Sequence, residues 1–401
     1  MSAKVRHSRT KDASGAAGGA VRAEDRRTRL MFVTHSAQKG GAEQSLIHLI
    51  NYVDRTRYRV YLVCPPDTAY AHELNESCTL VPLALPSVRQ GLGLGYVRAV
   101  LRLRRFVRET GIELIHANGW RAPWYVAPLR LMRGVKLIWH HRDHTDSRLF
   151  NRVLPTGFDQ VVCISEFVAS ALPRARKRVI YNGVDAARWP DRPRRGFMED
   201  GELVIGTFGR IVEWKRYDLM IEACRQLAEH AVTNWRLRIV GSTAMDGTER
   251  YLERLRRQAE RAGIADRVEF AGHDSRPLEA MSACDVTINF SDREPFGRVI
   301  IESLLTGTPV IVADSGGAPE VVRRTGGGLI VGDGDEAALA DALRRLHAAG
   351  AEAWEALSAQ GRAGVREHFD MARVSEQVDR LYGELLERRP PGRRRAAPAK
   401  A

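Results

Sequence analysis

The sequence predicts an α/β protein with two Rossmann-like domains that face each other across a cleft. Short runs rich in β-branched residues alternate with amphipathic helical segments, which is the pattern of parallel α/β sheets. This alternation occurs in two successive series of similar length, separated by a segment rich in Pro, Arg and Gly at residues 189–201. Each series is therefore expected to form its own open sheet.

The first series begins with a buried strand at residues 30–35, a Gly40-Gly41 turn and a helix at residues 42–52. Short β-rich runs follow along the rest of this half. The further strands of this series are predicted at residues 59–64, 113–117, 136–140, 160–164 and 179–181.

The second series repeats the same alternation and ends in helices. Its strands are predicted at residues 203–208, 236–240, 267–270, 286–290, 310–312 and 329–331. Helices are predicted at residues 217–231, 248–262, 296–305, 336–348, 351–367 and 371–388, where Pro390-Pro391-Gly392 ends the last one. The predicted organisation is a disordered basic tail (1–28), a first domain (29–190), a second domain (191–368), a final helix (369–389) and a disordered basic tail (390–401).

The charge of the chain raises the question of an anionic partner. Its 401 residues carry a net charge of +13, which nucleic acid, an anionic membrane surface or a phosphate-bearing substrate would attract. The sequence has no zinc-ligand spacing, aromatic RNA-binding signature or clear helix-turn-helix pattern, so no nucleic-acid partner is predicted. An anionic membrane surface and a merely solvated, arginine-rich surface both stay open, with basic stretches at residues 102–108 and 148–152.

Composition also bears on location. No uncharged apolar stretch of about 18 residues occurs, and the N-terminus lacks the apolar region of a signal peptide. The five cysteines are scattered, without C-x-x-C spacing, and are expected to be buried free thiols in a reducing compartment. We therefore expect a cytoplasmic protein, with the inner face of the cytoplasmic membrane as an open alternative.

Two glutamates lie where ligands bind in open parallel sheets, beyond the carboxyl end of a strand. Glu294 follows the strand predicted at residues 286–290, and Phe296-Gly297 then opens a helix whose free N–H groups and dipole suit an anion or sugar hydroxyls. Glu294 could accept hydrogen bonds from those hydroxyls, and Glu302, two turns on, from a ribose diol. Spacing alone fits a capping glutamate and a helix-surface glutamate equally well.

Two further turns carry groups that suit phosphate. Arg210 and Lys215 follow the first strand of the second series, and two cations at such a place suit a diphosphate. Gly40-Gly41 at the first strand-to-helix turn permits close backbone approach to a phosphate. Taken alone, the first motif is better interpreted as a surface loop of an arginine-rich protein, and the second as a tight turn.

Histidines end two strands of the first series. His116 ends one strand, and His140 and His141, followed by Arg142, end the next. A purely structural role is the alternative, and it applies most strongly to His116.

Together these segments resemble family-4 (group 1) retaining glycosyltransferases with the GT-B fold. Glu294 and Glu302 match the two glutamates of that family's E-x7-E region, and Phe296-Gly297 matches its usual Phe-Gly. The continuations at residues 304–311 and 316–320 are also similar, as are residues 162–166 and 181–185. The resemblance extends from about residue 30 to residue 388.

The resemblance implies roles for the residues that match. Arg210 and Lys215 would hold the donor diphosphate in place of a metal ion, and the glycine turn would lie under the donor phosphate near the acceptor. Family members carry a histidine near the reacting sugar, for which His140 is the first choice, His141 the second and Arg142 a third. The last helix would cross back to the first domain.

The expected function is therefore metal-independent, retaining transfer of a sugar from a nucleotide-sugar, UDP being favoured over GDP. The acceptor is a glycan, a lipid-linked molecule or a small molecule, in cell-envelope or polysaccharide biosynthesis. A GT-B sugar-nucleotide epimerase or phosphorylase, and a non-catalytic nucleotide-sugar-binding protein, are the alternatives. No cofactor or metal is expected, since the nucleotide-sugar is a substrate. The residues expected to be catalytic are His140, Arg210, Lys215 and Glu294. The donor is expected to contact Arg210, Lys215 and Glu294 and also Gly41, Phe296, Gly297 and Glu302. The acceptor side is expected to include Gly40, His116 and His141.

Overall fold

The computed structural model describes residues 26–87, 93–189, 195–229, 232–243 and 248–387. Within them the chain forms two parallel sheets covered by helices, which confirms the predicted fold class. Parallel strands need crossover connections, and the amphipathic segments between them supply these as helices.

The first sheet has seven strands in the order β3-β2-β1-β4-β5-β6-β7. They are β1 (Thr28–Val33), β2 (Tyr58–Cys64), β3 (Thr79–Pro82), β4 (Leu114–Asn118), β5 (Lys136–His141), β6 (Gln160–Cys163) and β7 (Lys177–Val179). The helices of this domain are α1 (Gly41–Tyr52), α2 (Leu94–Thr110), α3 (Ala122–Val126), α4 (Arg148–Val153) and α5 (Glu166–Ser170).

The second sheet has six strands in the order β10-β9-β8-β11-β12-β13. They are β8 (Leu203–Phe208), β9 (Trp235–Val240), β10 (Val268–Gly272), β11 (Val286–Asn289), β12 (Val310–Ala313) and β13 (Gly328–Val331). The helices are α6 (Tyr217–Glu229), α7 (Thr248–Arg261), α8 (Pro277–Ser282), α9 (Arg298–Thr306), α10 (Ala318–Thr325), α11 (Glu336–His368) and α12 (Met371–Glu387).

Several element bounds differ from the prediction. Strand β1 begins at Thr28 and ends at Val33, so it includes the last residue assigned to the N-terminal tail. Residues 1–25 and 388–401, on which most of both predicted tails fall, lie outside the described residues. The predicted break between residues 348 and 351 is confirmed, because Gly350 interrupts α11 with a φ of 74°. The predicted domain boundary at residues 190 and 191 also lies outside the described residues and stays a prediction.

Strand β3 and helix α2 of the first domain were not predicted, and neither were the short helices α3, α4 and α5. Strand β3 lies at the edge of its sheet, and most of its side chains are exposed, so the sequence shows no clear apolar run there. Helix α2 was noticed only as a basic stretch. It buries Ala99, Leu103 and Val107, a stripe at helical spacing that its many arginines obscured.

Helix α12 crosses from the second domain and packs on the first, as the resemblance implied. Its apolar face joins the core formed by α1 and one face of the first sheet. Asp379 on α12 accepts a hydrogen bond of 2.7 Å from the Tyr58 hydroxyl, and Glu384 forms an ion pair of 2.9 Å with Arg178. The C-terminal helix therefore ties the two domains together.

The other face of the first sheet shares a core with the second domain. Trp139 and Val161 belong to the same buried cluster as Phe296, Ile300 and Val321 of the second domain. The five cysteines are buried and unbridged, as predicted. Within the described residues, no helix combines the length and the apolar composition that crossing a membrane requires. The shared core brings the loops after the strands of both sheets together.

Candidate active site

Glu294 lies in a loop that two other loops hold in place. The Asp292 N–H donates to the Trp214 carbonyl (2.7 Å), and the Gly317 N–H donates to the Glu294 carbonyl (2.7 Å). Gly316 adopts a φ of 70°, and a Cβ there would lie 2.3 Å from the Glu294 carbonyl oxygen. Only glycine permits both this backbone conformation and this approach. The position of Glu294 is therefore set by the loops after β8 and β12.

Lys215 and Glu294, both expected to be catalytic, meet directly. The Lys215 Nζ lies 2.5 Å from Glu294 Oε2, and the two side chains are 12% and 10% exposed. Burial pushes the pKa of Glu294 up, but the Lys215 charge and hydrogen bonds to the carboxylate outweigh it, so the net shift is downward. The Lys215 Nζ also lies 4.4 Å from the Trp214 ring centroid. An ionised carboxylate and an ammonium group are thus in direct contact at a largely buried position.

Arg210 stands on a turn that a neighbouring strand and α6 fix. Gly209 has a φ of 140°, its N–H donates to the Val240 carbonyl (3.0 Å), and its carbonyl accepts from the Tyr217 hydroxyl (3.0 Å). A Cβ on Gly241 would lie 1.7 Å from the Gly209 carbonyl oxygen, so this turn also depends on glycine in the next loop. The Arg210 side chain is exposed at the end of β8.

The first domain forms the opposite wall through Arg142 and Asp143, directly after β5. Arg142 is 4% exposed, and its guanidinium donates to the side-chain carbonyls of Asn118 and Asn182. Burial lowers the pKa of Arg142 to about 9, and the nearby Glu43 carboxylate opposes that shift. Partial desolvation by the surrounding protein raises the pKa of Asp143, although the residue is exposed at the surface.

The charges of Arg142 and Arg210 oppose that rise in the pKa of Asp143, and the charge of Glu294 adds to it. The groups after β5 in the first domain and after β8 and β11 in the second therefore face one another. This is the cleft that the sequence predicted, with cations from both domains on its walls.

The glycine turn of the first domain meets α9 of the second. Gly40 and Gly41 are exposed, and the Gly40 N–H donates to Glu43 Oε2 (3.2 Å) at the start of α1. A Cβ on Gly41 would lie 3.7 Å from the Arg298 side chain, whose guanidinium pairs with Glu302 Oε1 at 2.7 Å. Gly41 and Glu302 thus both lie next to the Arg298 side chain, and Glu302 forms an ion pair with that arginine.

Phe296 and Gly297, both expected to bind the donor, lie directly before the start of α9. The Phe296 side chain is 2% exposed and packs against Tyr181 and Phe369, with ring centroids 6.0 and 5.8 Å away. Helix α9 begins at Arg298, two residues later than predicted, after Gly297 in the left-handed region (φ 86°). Only the backbone of Phe296 and Gly297 could therefore meet a donor.

The histidines differ in which face of the sheet they occupy. His140 is 3% exposed and lies on the face that α1 and α12 cover, beside the fully buried His116. His141 lies on the opposite face, 4.3 Å from the Trp139 ring centroid, and is 1% exposed. All three rings are enclosed, so exposure does not distinguish His140 from the other two, and their expected contacts with sugar or acceptor stay predictions.

The matches to known proteins decide the family. Residues 39–188 match the profile described as Glycosyltransferase Family 4, and residues 190–363 match Glycosyl transferases group 1. The chain belongs to the group 1 glycosyltransferases. A D-inositol 3-phosphate glycosyltransferase from Acidothermus cellulolyticus is 31% identical over 75% of this chain and 74% of the relative. The lipopolysaccharide core biosynthesis glycosyltransferase LpsE from Rhizobium meliloti is 28% identical, over 78% and 87%.

A solved structure supports the same family and fold. The Anabaena protein HepE, determined in complex with UDP and glucose, superposes with a TM-score of 0.76 at 25% identity. The match covers 90% of this glycosyltransferase and all of HepE. The names of the two relatives assign one to lipopolysaccharide core biosynthesis and the other to the glycosylation of D-inositol 3-phosphate.

Sequence reasoning missed the contacts that join the two domains of this glycosyltransferase around the cleft. The Glu320 carboxylate accepts the N–H groups of Glu166 (2.9 Å) and Phe167 (2.8 Å) at the start of α5, and the Tyr181 hydroxyl (2.9 Å). The Ser165 hydroxyl donates to the carbonyl of Pro295 (2.6 Å), beside Glu294. Glu320 belongs to the segment at residues 316–320 that resembles the family, but no local pattern shows that its partner is a helix of the other domain.

Proposed function

We propose that this chain transfers a sugar with retention, and without a metal ion, from a UDP-sugar to a hydroxyl of a cell-envelope glycan or glycolipid. The observation that carries the proposal is the Lys215–Glu294 pair, which sets a cation and a carboxylate 2.5 Å apart beside the exposed Arg210. A sugar diphosphate needs both: cations for its phosphates and an acceptor for its hydroxyls.

The leaving group is the part of the reaction that gains charge. As the bond between the anomeric carbon and the β-phosphate oxygen breaks, negative charge grows on the diphosphate, and Arg210 and Lys215 stabilise it. These two fixed cations supply the neutralisation that a metal ion would otherwise provide. The Lys215 ammonium then contacts both the diphosphate and Glu294. The ion pair with Glu294 keeps the lysine side chain directed into the cleft.

The remaining site residues orient the donor. Glu294 accepts hydrogen bonds from the sugar hydroxyls, Glu302 from the ribose, and the backbone at Gly41 and Gly297 approaches the phosphates. The acceptor hydroxyl attacks the anomeric carbon from the side of the leaving group. Its proton passes to the departing phosphate oxygen as the new carbon–oxygen bond forms, so retention requires no covalent intermediate with the protein. His140 contacts the sugar or the acceptor.

HepE, solved with UDP and glucose, favours a uridine donor. The test incubates the purified protein in EDTA with UDP- or GDP-sugars and with lipopolysaccharide-core fragments or inositol phosphates as acceptors. We expect nucleotide release that depends on an acceptor, and an α-linked product by proton NMR when the donor is α-linked. A β-linked product, or activity only after a divalent cation is added, would contradict the proposal. Nucleotide binding without transfer would favour the non-catalytic alternative, and an epimerised donor the epimerase.

Exposed arginines are concentrated on helix α2, and we propose that this helix rests on an anionic membrane surface. Its outer side carries three exposed aliphatic residues, Leu94 (74%), Val97 (46%) and Leu101 (56%). Exposed arginines alternate with them, namely Arg98, Arg102, Arg104, Arg105 and Arg108. Apolar side chains beside arginines suit the boundary between acyl chains and anionic headgroups. A lipid-linked acceptor would then be reached from the membrane.

Reversing the charge of Arg102, Arg104, Arg105 and Arg108 is expected to weaken binding to vesicles of phosphatidylglycerol and phosphatidylcholine by at least about tenfold, since each basic residue contributes about 1 kcal/mol near such a surface. Co-sedimentation at fixed ionic strength measures it. The matched control reverses four exposed arginines of α7 (Arg250, Arg256, Arg257 and Arg261), a helix of the other domain. Equal losses in both variants would show that only net charge matters and would overturn the role of α2.

A further inference from the structure

A chain of three rings connects the crossing helix to the end of β5. The Tyr382 hydroxyl lies 2.6 Å from His116 Nδ1, and His116 Nε2 lies 3.0 Å from His140 Nδ1. All three residues are buried, at 1%, 0% and 3% exposure. The chain ends at His140 Nε2, which is buried and has no hydrogen-bond partner among the described residues. A buried nitrogen without a partner needs an explanation, because nearly all such groups are satisfied in folded proteins.

Arg142 and the Tyr382–His116 pair together determine in which direction the hydrogen bonds run. One of its guanidinium nitrogens lies 3.4 Å from His140 Nδ1, and arginine can only donate. This long contact favours an unprotonated His140 Nδ1, and the shorter contact of 3.0 Å with His116 Nε2 fixes that form when His116 donates. His140 Nδ1 then accepts from His116 Nε2–H, and His116 Nδ1 accepts from the Tyr382 hydroxyl. In a neutral imidazole the remaining nitrogen of His140, Nε2, carries the proton.

Protonation states are consistent with this arrangement. Burial, aided by the Arg142 charge, lowers the pKa of His116 to about 3 and the pKa of His140 well below its ordinary value. Burial also raises the pKa of Tyr382, so its hydroxyl keeps its proton. Both imidazoles are thus neutral near pH 7, and each has one donor and one acceptor nitrogen.

We propose that Tyr382 and His116 are positioning residues that fix the tautomer of His140, so that its Nε2–H donates a hydrogen bond to an oxygen of the sugar or acceptor. The inference rests on the proposed function for the identity of that oxygen. As a fixed donor His140 cannot also remove a proton, which agrees with a reaction in which the leaving phosphate takes the acceptor's proton. The crossing helix α12 then contributes to the reaction from a residue remote in sequence.

The test replaces Tyr382 by phenylalanine, which keeps the ring and removes the hydroxyl. Tyr58→Phe is the matched control, because Tyr58 packs edge-on against Tyr382 (5.7 Å between centroids) and its hydroxyl bonds to Asp379 on the same helix. Loss of that bond perturbs α12 without touching the histidines. His116→Phe interrupts the chain at its middle and serves if Tyr382→Phe does not fold.

The first readout is the tautomer of His140 by long-range nitrogen–proton NMR on histidine-labelled protein, with His140→Gln assigning the signal. We expect only the Nε2–H form in the wild type and in Tyr58→Phe, and a mixture of both forms in Tyr382→Phe or His116→Phe. An Nδ1–H form in the wild type, or unchanged spectra in both chain variants, would overturn the proposal. This readout needs neither donor nor acceptor, so its outcome is independent of whether the proposed transfer reaction is correct.

The second readout is release of UDP from UDP-glucose in the presence of the acceptor panel. Tyr382→Phe is expected to lower kcat by about tenfold or more while leaving the KM for the donor nearly unchanged, as loss of an orienting partner does. Tyr58→Phe should retain the wild-type kcat. An unchanged kcat in Tyr382→Phe together with a shifted tautomer would overturn the catalytic part of the proposal.

Discussion

Lys215→Ala and Arg210→Ala are each expected to lower kcat by about 10²–10³-fold, the usual effect of removing one group that stabilises charge in a transition state. The loss should fall on kcat more than on the KM for the donor, because the charge on the diphosphate grows as the glycosidic bond breaks. Lys215→Ala should be the more damaging, because it also leaves the buried Glu294 carboxylate without its ion pair at 2.5 Å.

Arg238→Ala is the matched control for these two variants. Arg238 also pairs with a carboxylate of its own domain, Glu269 at 2.8 Å, but between strands β9 and β10 rather than in the loops after β8 and β11. It should keep wild-type turnover, since a partly exposed pair contributes little to stability. Kinetics at saturating and limiting donor separate kcat from KM. Wild-type kcat in both Lys215→Ala and Arg210→Ala would remove the cations from the mechanism.

Acidification from pH 7 to pH 5 is expected to lower the stability of the protein strongly. Burial lowers the pKa of both His116 and His141 to about 3, with the charges of Arg142 and His144 adding to the respective shifts. Both rings are therefore neutral in the folded state, whereas in the unfolded chain they bind protons below about pH 6.5. The stability is fully present above pH 6.5 and is lost as the pH falls toward 3. At pH 5 the loss is about 2 kcal/mol for each ring.

His141→Phe isolates one of these contributions. Neither ring nitrogen of His141 has a hydrogen-bond partner among the described residues, and the ring packs with Trp139 and Phe150, so phenylalanine suits the site. Urea unfolding of this variant should shift less between pH 7 and pH 5 than that of the wild type, by about 2 kcal/mol. His72→Phe, at an exposed position, should follow the wild type. Equal shifts in His141→Phe and the wild type would contradict the account.

Local patterns were sufficient for much of the fold. Strand β8 was predicted at its exact bounds, and α12 nearly so, because each shows a clear apolar periodicity next to a turn signal. The place of Glu294 after β11 also followed, since the carboxyl end of a parallel strand is determined once the strand is recognised. Edge strand β3 and helix α2 escaped because exposure and charge hide their periodicity.

The partners of the site residues were beyond the sequence. Lys215 and Glu294 were each expected to be catalytic. They are 79 residues apart in the sequence, and their spacing does not show that their side chains lie 2.5 Å apart in the fold. The bond between His116 and Tyr382 spans 266 residues and depends on how α12 docks. The side of β5 on which each histidine lies was also undecided, because a shift of one residue exchanges the two faces. The structure places His140 beside His116 and α12, and His141 against Trp139.

The central claim is that Arg210 and Lys215 hold the β-phosphate of the donor, and isothermal titration of UDP and UMP tests it most directly. UDP offers this second phosphate and UMP does not, so the wild type should bind UDP at least about tenfold more tightly than UMP, in EDTA. In the double variant Arg210→Ala, Lys215→Ala the two affinities should become nearly equal, with the affinity for UMP preserved. A double variant that still prefers UDP by the wild-type ratio would contradict the account.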